Sequence, residues 1–217
     1  MTGVDGANVI AIDGPAGSGK STVARAVAAR LGIPYLDTGA MYRSVAFAAL
    51  RSGVDPDDVE QVANLAVSMV LSVEPDGTVT VDGTDATVEI RGPEVTRAVS
   101  IVAANPGVRA EMRTRQREFV RRTGGAVMEG RDIGTVVFPD ARLKVYLDAD
   151  PEVRAARRSK EVADLSYETV AADLARRDAL DQGRKADPLK VADGAVIIDT
   201  SDLDVAQIVD VILEHWS

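Results

Sequence analysis

Hydrophobic positions change period repeatedly in the first seventy residues. Residues 8–13 (NVIAID) form a short apolar run that ends at a glycine cluster, and Val23, Ala24, Val27, Ala28 and Leu31 then recur at helical spacing. This pattern predicts strand, loop and helix in succession. Gly32 stops the helix, 33–37 (IPYLD) reads as a second strand, and 38–51 as a second helix ending at Gly53. A third helix is predicted over 55–69, with Pro56 at its first position and acidic residues in its first turn.

From residue 70 the period shortens to two. Segments 70–74, 78–81 and 87–90 alternate polar with apolar residues and are split by Pro75-Asp76-Gly77 and Asp82-Gly83, the signature of a small antiparallel insert. Helical spacing resumes over 93–123, broken or bent near Asn105-Pro106-Gly107, and 126–129 and 143–147 read as buried parallel strands. Residues 151–160 and 167–184 are predicted helical, the latter capped by Ser166; 195–199 is a last strand, and Asp202 is expected to cap a terminal helix reaching Trp216. Alternating strands and helices of this kind predict an α/β fold. The sheet is parallel, helices cover both of its faces, and ligands bind at the strands' carboxyl ends. No internal repeat or low-complexity tract interrupts the pattern.

Composition narrows the chemistry. The 217 residues suit one domain, or one domain with an insertion, at roughly 150 residues per domain, and 46% hydrophobic content supplies a core. Cysteine is absent and the one histidine is His215, so disulfide scaffolds, thiolate metal sites, cysteine nucleophiles and histidine-clustered metals are excluded. The formal charge of −9 disfavours nucleic acid or an anionic membrane as partner. No apolar run reaches the ~18 residues that span a bilayer, and residues 1–7 lack a basic start, so a cytoplasmic protein is expected. Arginine outnumbers lysine 20 to 5, and the planar guanidinium is the better fork for phosphate oxygens. A coding bias toward arginine would give the same ratio, so position has to decide.

Gly14-Pro15-Ala16-Gly17-Ser18-Gly19-Lys20-Ser21 satisfies G-x-x-x-x-G-K-[ST] between a predicted strand and a predicted helix, which is the context this phosphate loop requires. The glycines let backbone N–H groups converge on a phosphate chain at the helix N-terminus. Lys20 adds a positive charge expected to lie in solvent until phosphate arrives, and the Ser21 hydroxyl can ligate magnesium. The ATP site is therefore read as Gly14, Pro15, Ala16, Gly17, Ser18, Gly19, Lys20, Ser21 and Thr22, with Mg2+ carried by ATP and met by Ser21. A glycine-rich turn with a coincidental lysine is the competing reading. No Asn-Lys-x-Asp guanine reader is present, so a GTPase switch fits poorly.

Leu36-Asp37-Thr38-Gly39-Ala40-Met41-Tyr42-Arg43 sets a hydroxyl and an arginine after the second strand, although a helix cap followed by a solvated arginine has the same pattern. Ser100–Arg109 (SIVAANPGVR) and Glu129-Gly130-Arg131-Asp132-Ile133-Gly134-Thr135 are two further blocks. The second is expected to open a loop in which Gly130 and Gly134 allow tight turns, so that Arg131 and Asp132 project into one cleft. Taken together, these blocks resemble the bacterial cytidylate kinases, nucleoside monophosphate kinases that phosphorylate CMP and dCMP with ATP. The resemblance spans essentially the whole chain. Its most specific signals are Asp37–Arg43 and Gly130–Pro139.

That resemblance implies a three-layer P-loop kinase fold. Its core would be 1–36, 93–151 and 186–217, with 37–92 as an acceptor domain carrying the β insert and 152–185 as a helical lid. It implies that Arg43 and Arg131 hold the acceptor phosphate, that Thr38, Ser100, Arg109 and Asp132 surround the pyrimidine, and that Arg177, Asp181 and Arg184 read the ribose and acceptor side. Lys20, Arg131 and the lid's Arg157 are expected to be catalytic. Two positions depart from the family's common pattern: Thr38 stands where serine is frequent and Glu129 where aspartate is. A monomer using ATP, CMP and dCMP is expected. Another small P-loop kinase with a UMP, AMP or metabolite acceptor, and a nucleotide-binding module without turnover, remain as alternatives.

Overall fold

In the computed structural model, which describes residues 6–161, 165–184 and 186–216, five parallel strands form one sheet in the order β2-β6-β1-β7-β8. They are β1 (Val9–Asp13), β2 (Tyr35–Asp37), β6 (Ala126–Gly130), β7 (Leu143–Asp148) and β8 (Val196–Asp199). Helices lie on both faces. All five β1 residues are buried, as a central strand flanked by two parallel neighbours requires. The register aligns Asp13 with Gly130 on β6 and with Tyr146 on β7, so the carboxyl ends of the three strands meet at one edge. Helices α1 (Lys20–Leu31) and α8 (Val205–Trp216) pack together over a cluster formed by Ile10, Ile12, Val23, Val27, Leu147, Ile208 and Ile212.

By internal contacts the chain divides into two units, 1–35 with 125–217, and 36–124. The second unit holds helices α2 (Thr38–Arg51), α3 (Val59–Ser68), α4 (Pro93–Ala104) and α5 (Pro106–Thr123), and an antiparallel sheet of β3 (Leu71–Val73), β4 (Val79–Val81) and β5 (Thr84–Asp85). It is larger than the 37–92 segment expected from the sequence, because α4 packs on α2 and α5 on α3. The α3–α5 approach is close. A Cβ on Gly107 would fall 2.6 Å from the Ala63 Cβ, so glycine is required there.

Among the predicted boundaries that move, three do so where a side chain captures a backbone group. The third helix starts at Val59 rather than near Pro56: Asp55 Oδ1 accepts from Asp57 N and Asp58 Oδ1 from Gln61 N, an Asx turn followed by an N-cap. The third insert strand is Thr84–Asp85, not 87–90. Asp85 Oδ1 accepts from Thr87 N, Thr87 Oγ1 accepts from Val79 N, and the chain then turns into a short 3₁₀ helix at Glu89–Arg91. The cap of the last helix is Asp204 rather than Asp202, since Asp204 and Gln207 exchange side-chain and backbone hydrogen bonds at 2.9 Å. The cap predicted at Ser166 accepts from Thr169 N. Of the 160–166 segment, 162–164 lie outside the described residues, as do 1–5 at the start of the chain.

The carbonyls at the C-terminal end of α3 are taken up by one side chain. Arg115 Nη2 donates to the carbonyls of Ala66, Val67 and Met69 at 2.9–3.2 Å, while its Nε binds Glu111. Arg115→Met should therefore lower stability by about 1–3 kcal/mol. The check is a urea midpoint that shifts at constant slope; an unchanged midpoint would show that water satisfies these carbonyls equally well.

Candidate active site

Strand β1 ends at Asp13 and α1 begins at Lys20, so the predicted phosphate loop occupies the turn between them. Gly14 has φ 151°, and a Cβ there would lie 2.0 Å from the Leu147 carbonyl oxygen, which explains why no side chain is tolerated. Gly19 is the N-cap of α1 in the left-handed region, and no side chain caps the helix, so no side chain competes with an anion for its first N–H groups. Ser18 is fully buried and its hydroxyl donates to the Pro15 carbonyl at 3.1 Å, bracing the loop from inside.

Lys20 departs from expectation. Its ammonium is not held in solvent: the residue is only 6% exposed, and Nζ donates to the Pro15 carbonyl at 2.5 Å and approaches Ser18 Oγ at 3.4 Å. Burial and the neighbouring Arg131 charge push its pKa down to about 7, against the opposing pull of Glu129, Asp13 and Asp181. The side chain thus lies curled inside the loop it was expected to extend from.

Ser21 and Thr22 follow on the exposed first turn of α1. The Ser21 hydroxyl donates to Glu129 Oε2 at 2.9 Å, and the Tyr35 hydroxyl donates to Glu129 Oε1. This orientation spends the hydroxyl proton on Glu129 and leaves the oxygen lone pairs for a hard cation, so Ser21 fits the magnesium role.

Arg131 and Asp132 follow β6, but the segment after them is not the open loop expected from Gly130 and Gly134. Residues Ile133–Val137 form one π-helical turn, and neither glycine adopts a positive φ. Arg131 Nε donates to Asp181 Oδ2 at 2.8 Å, and Arg184 Nη2 lies 3.7 Å from Asp181 Oδ1. Burial opposes the Arg131 charge, but Asp181 outweighs it and the Arg131 pKa rises. Asp181 is held below the usual carboxylate range by Arg131 and Arg184 despite its own burial. Burial and Arg131 lower the pKa of Arg177. Arg131, Arg177, Asp181 and Arg184 are therefore brought into one charged group carried largely by α7 (Tyr167–Gly183). Asp132 is buried at 4% exposure beside it in sequence.

The arginines of α6 (Pro151–Glu161) divide between two anchors. Arg154 is buried; its Nε donates to the Ala149 carbonyl and its Nη1 to the Ala16 carbonyl, both at 3.1 Å, and Nη1 also pairs with Asp178 at 2.5 Å. It ties the phosphate loop to α7. Arg157 donates to Thr200 Oγ1 and to the Thr200 carbonyl, and Thr200 Oγ1 in turn donates to the Ser18 carbonyl at 3.2 Å. Arg157 is thus one residue removed from the phosphate loop.

In the second unit, Asp37 caps α2 through Ala40 N and pairs with Arg91 at 3.4 Å, while Thr38 is buried. Arg43 Nη1 donates to the Ile90 carbonyl and to Thr96 Oγ1, each at 3.0 Å, which ties α2 to α4 four residues before Ser100. Arg109 is 1% exposed, donates to the Ala103 carbonyl and stacks 5.7 Å from the Tyr42 ring centroid. Neither arginine is a solvated surface group.

Sequence reasoning missed Asp13, Arg154, Asp178 and Thr200 as parts of this constellation, and noticed Glu129 only as a departure. Asp13 had a signal, its position directly before Gly14 at a strand end. Asp178 and Thr200 had none, because their partners lie 24 and 43 residues away.

A family model described as cytidylate kinase matches residues 10–217. A cytidylate kinase of Mycolicibacterium paratuberculosis is 50% identical over 210 residues, covering 93% of this chain and 92% of that protein. One from Streptomyces griseus subsp. griseus is 48% identical over 209 residues, with 94% and 90% covered. Among solved structures, TT1252 from Thermus thermophilus aligns over 97% of this chain and 98% of its own at 21% identity, with a TM-score of 0.51, a likeness of fold.

Proposed function

The chain belongs to the cytidylate kinase family, and on that premise we propose that it transfers the γ-phosphoryl group of ATP to CMP or dCMP, giving ADP and CDP or dCDP. One observation carries the reading beyond the family match. Lys20 is buried inside the phosphate loop, where burial and then the Arg131 charge lower its pKa to about 7, and Arg131 is itself held by Asp181 at 2.8 Å. The positive charge gathered there suits an anion, and a phosphate chain is the anion that the uncapped N-terminus of α1 fits.

An oxygen of the acceptor's phosphate attacks the γ-phosphorus, the bond between that phosphorus and the β-γ bridging oxygen breaks, and ADP leaves with the electron pair. The acceptor oxygen is already ionised near neutral pH, so no general base is needed, in keeping with a site that lacks histidine. The chain has to neutralise two repelling phosphates and align them. We assign the donor to Gly14–Thr22 and charge neutralisation to Lys20 and Arg131, with Arg157 a residue further out through Thr200. A magnesium ion carried by ATP would add positive charge at the β- and γ-phosphates, and Ser21 would hold it.

For the acceptor we keep Arg43 and Arg131 on the phosphate, Thr38, Ser100, Arg109 and Asp132 around the base, and Arg177, Asp181 and Arg184 on the sugar side. We further take 152–185 to act as the lid, supported by the way Arg154 joins α6 to the Ala16 carbonyl and to Asp178 of α7. We take the protein to act as a monomer.

A coupled assay of ADP release tests the function directly. CMP and dCMP should stimulate turnover strongly, whereas ATP alone should turn over slowly. Asp132, a buried carboxylate, can accept from the cytosine N4 amine and repels the O4 acceptor of uracil. UMP should accordingly be poorer by at least ~10-fold in kcat/KM. Equal use of UMP, or full discrimination retained by Asp132→Ala, would remove Asp132 as the base reader.

A further inference from the structure

We propose that Asp13 is a positioning residue for this reaction: its carboxylate straps the Arg131-Asp132 segment to the root of the phosphate loop by accepting the backbone N–H groups of Ile133 and Gly134. The proposal rests on the kinase reading above, in which Arg131 and Asp132 act on the acceptor.

The geometry is specific. Asp13 is the last residue of β1 and directly precedes Gly14, the first residue of the loop. It is 3% exposed, and its two oxygens divide the work: Oδ1 accepts from Ile133 N at 2.9 Å and Oδ2 from Gly134 N at 2.8 Å. These are the first N–H groups of the π-helical turn, which otherwise lacks a side-chain cap. A carboxylate with both oxygens engaged fixes the turn's orientation as well as its position. The two residues immediately before that turn, Arg131 and Asp132, inherit the placement. Gly134 is packed closely as well, since a Cβ there would stand 3.4 Å from Asp13 Oδ2 and 3.3 Å from Lys144 Cγ.

Function explains why an ionised group is kept in this position. Burial raises the Asp13 pKa to about 6, with the Asp132 charge adding to the rise; the two N–H groups and Lys20 act in the other direction. Tyr146 on β7 feels the Asp13 charge, and Lys144 on the same strand directs its ammonium to the Asp193 carbonyl instead. A carboxyl whose folded pKa is raised favours the folded state at low pH. That contribution is complete below the ordinary carboxylate range and is lost as pH rises through about 6. At neutral pH the charge therefore works against stability, and what it secures is two accepting oxygens. Protonation converts one of them into a hydroxyl donor and loosens the strap.

The experiment follows the Ile133 and Gly134 amide protons by NMR between pH 4.5 and 8 in the substrate-free protein. Both should titrate with a midpoint about two units above the ordinary aspartate value. The isosteric Asp13→Asn should abolish that titration, stay folded by circular dichroism, and lower kcat/KM for CMP by about 10-fold or more with the KM for ATP changed far less. The acid limb that the CMP phosphate itself imposes on the rate should persist in Asp13→Asn, while the added limb near pH 6 should vanish. Asp13→Glu, whose longer arm displaces the turn, should not restore the rate. Amides that show no titration which Asp13→Asn removes, or an Asp13→Asn enzyme with wild-type kcat/KM, would overturn the proposal. If CMP proves not to be the acceptor, the amide titration still decides whether the strap exists, so failure of the strap and failure of the kinase reading are told apart.

Discussion

Lys20→Met should lower kcat by about 10²-fold or more while leaving the melting temperature at pH 7.5 no lower than that of the wild type. The two halves of this result have separate causes. On the proposed mechanism the ammonium faces the transferring phosphate, and Arg131, tied to Asp181 at 2.8 Å, is not free to take its place as well as its own. In the free protein the same ammonium is buried on the Pro15 carbonyl and its pKa is depressed by that burial and by Arg131. A lysine whose folded pKa is lowered binds its proton less tightly in the folded state than in the unfolded chain. Its contribution to stability therefore grows as pH rises from about 7 toward the ordinary lysine value, and the charge is a cost at neutral pH. Methionine keeps the apolar stem without that cost. Thermal melts at pH 7 and 10 check the linkage, since the gain seen in the wild type should be missing from Lys20→Met. A variant with near wild-type kcat would remove Lys20 from the mechanism.

Arg131→Met should be the most damaging acceptor-side change, with kcat/KM for CMP down by about 10³-fold. Stability should fall too, by about 3 kcal/mol, because Asp181 loses its nearest cation in a largely buried site and keeps Arg184 at 3.7 Å and the charge of Arg177. The Asp181 pKa is held below the usual carboxylate range, so the pair's contribution is present at neutral pH and lost only as pH falls below that range. The double variant Arg131→Met/Asp181→Asn separates structure from chemistry. It should recover part of the lost stability, since Asp181 no longer carries a charge without its nearest cation although Arg177 and Arg184 lose their carboxylate partner, but little of the rate. Recovery of both would reduce Arg131 to a structural partner of Asp181, whereas recovery of neither would place the damage in packing.

Local physics made much of this protein readable from its sequence. The phosphate loop was legible because a strand's apolar run, a glycine cluster and a helical repeat are each short-range patterns, and the loop's shape depends on positive-φ backbone that Gly14, Gly17 and Gly19 make available. The alternation that predicted a parallel sheet held through β1, α1, β2 and α2 for the same reason. Boundaries failed where a polar side chain reached the nearby backbone, at Asp58, Thr87 and Asp204, since period counting takes no account of such bonds.

The state of each charged group, by contrast, was decided by tertiary structure. Lys20 reads as a mobile surface cation until burial and Arg131 are known; Arg154 and Arg157 sit in one arginine-rich helix, yet one is locked beneath the phosphate loop by Asp178 and the other is bound to Thr200. Asp13 was visible as a strand end, but its partners are 120 and 121 residues away. Desolvation and charge–charge coupling depend on distance in space, which the order of residues does not carry. The sequence determined which groups could bind a phosphate chain and roughly where in the fold they would lie. Only the packed structure determined which of them are held, by what, and in which ionisation state.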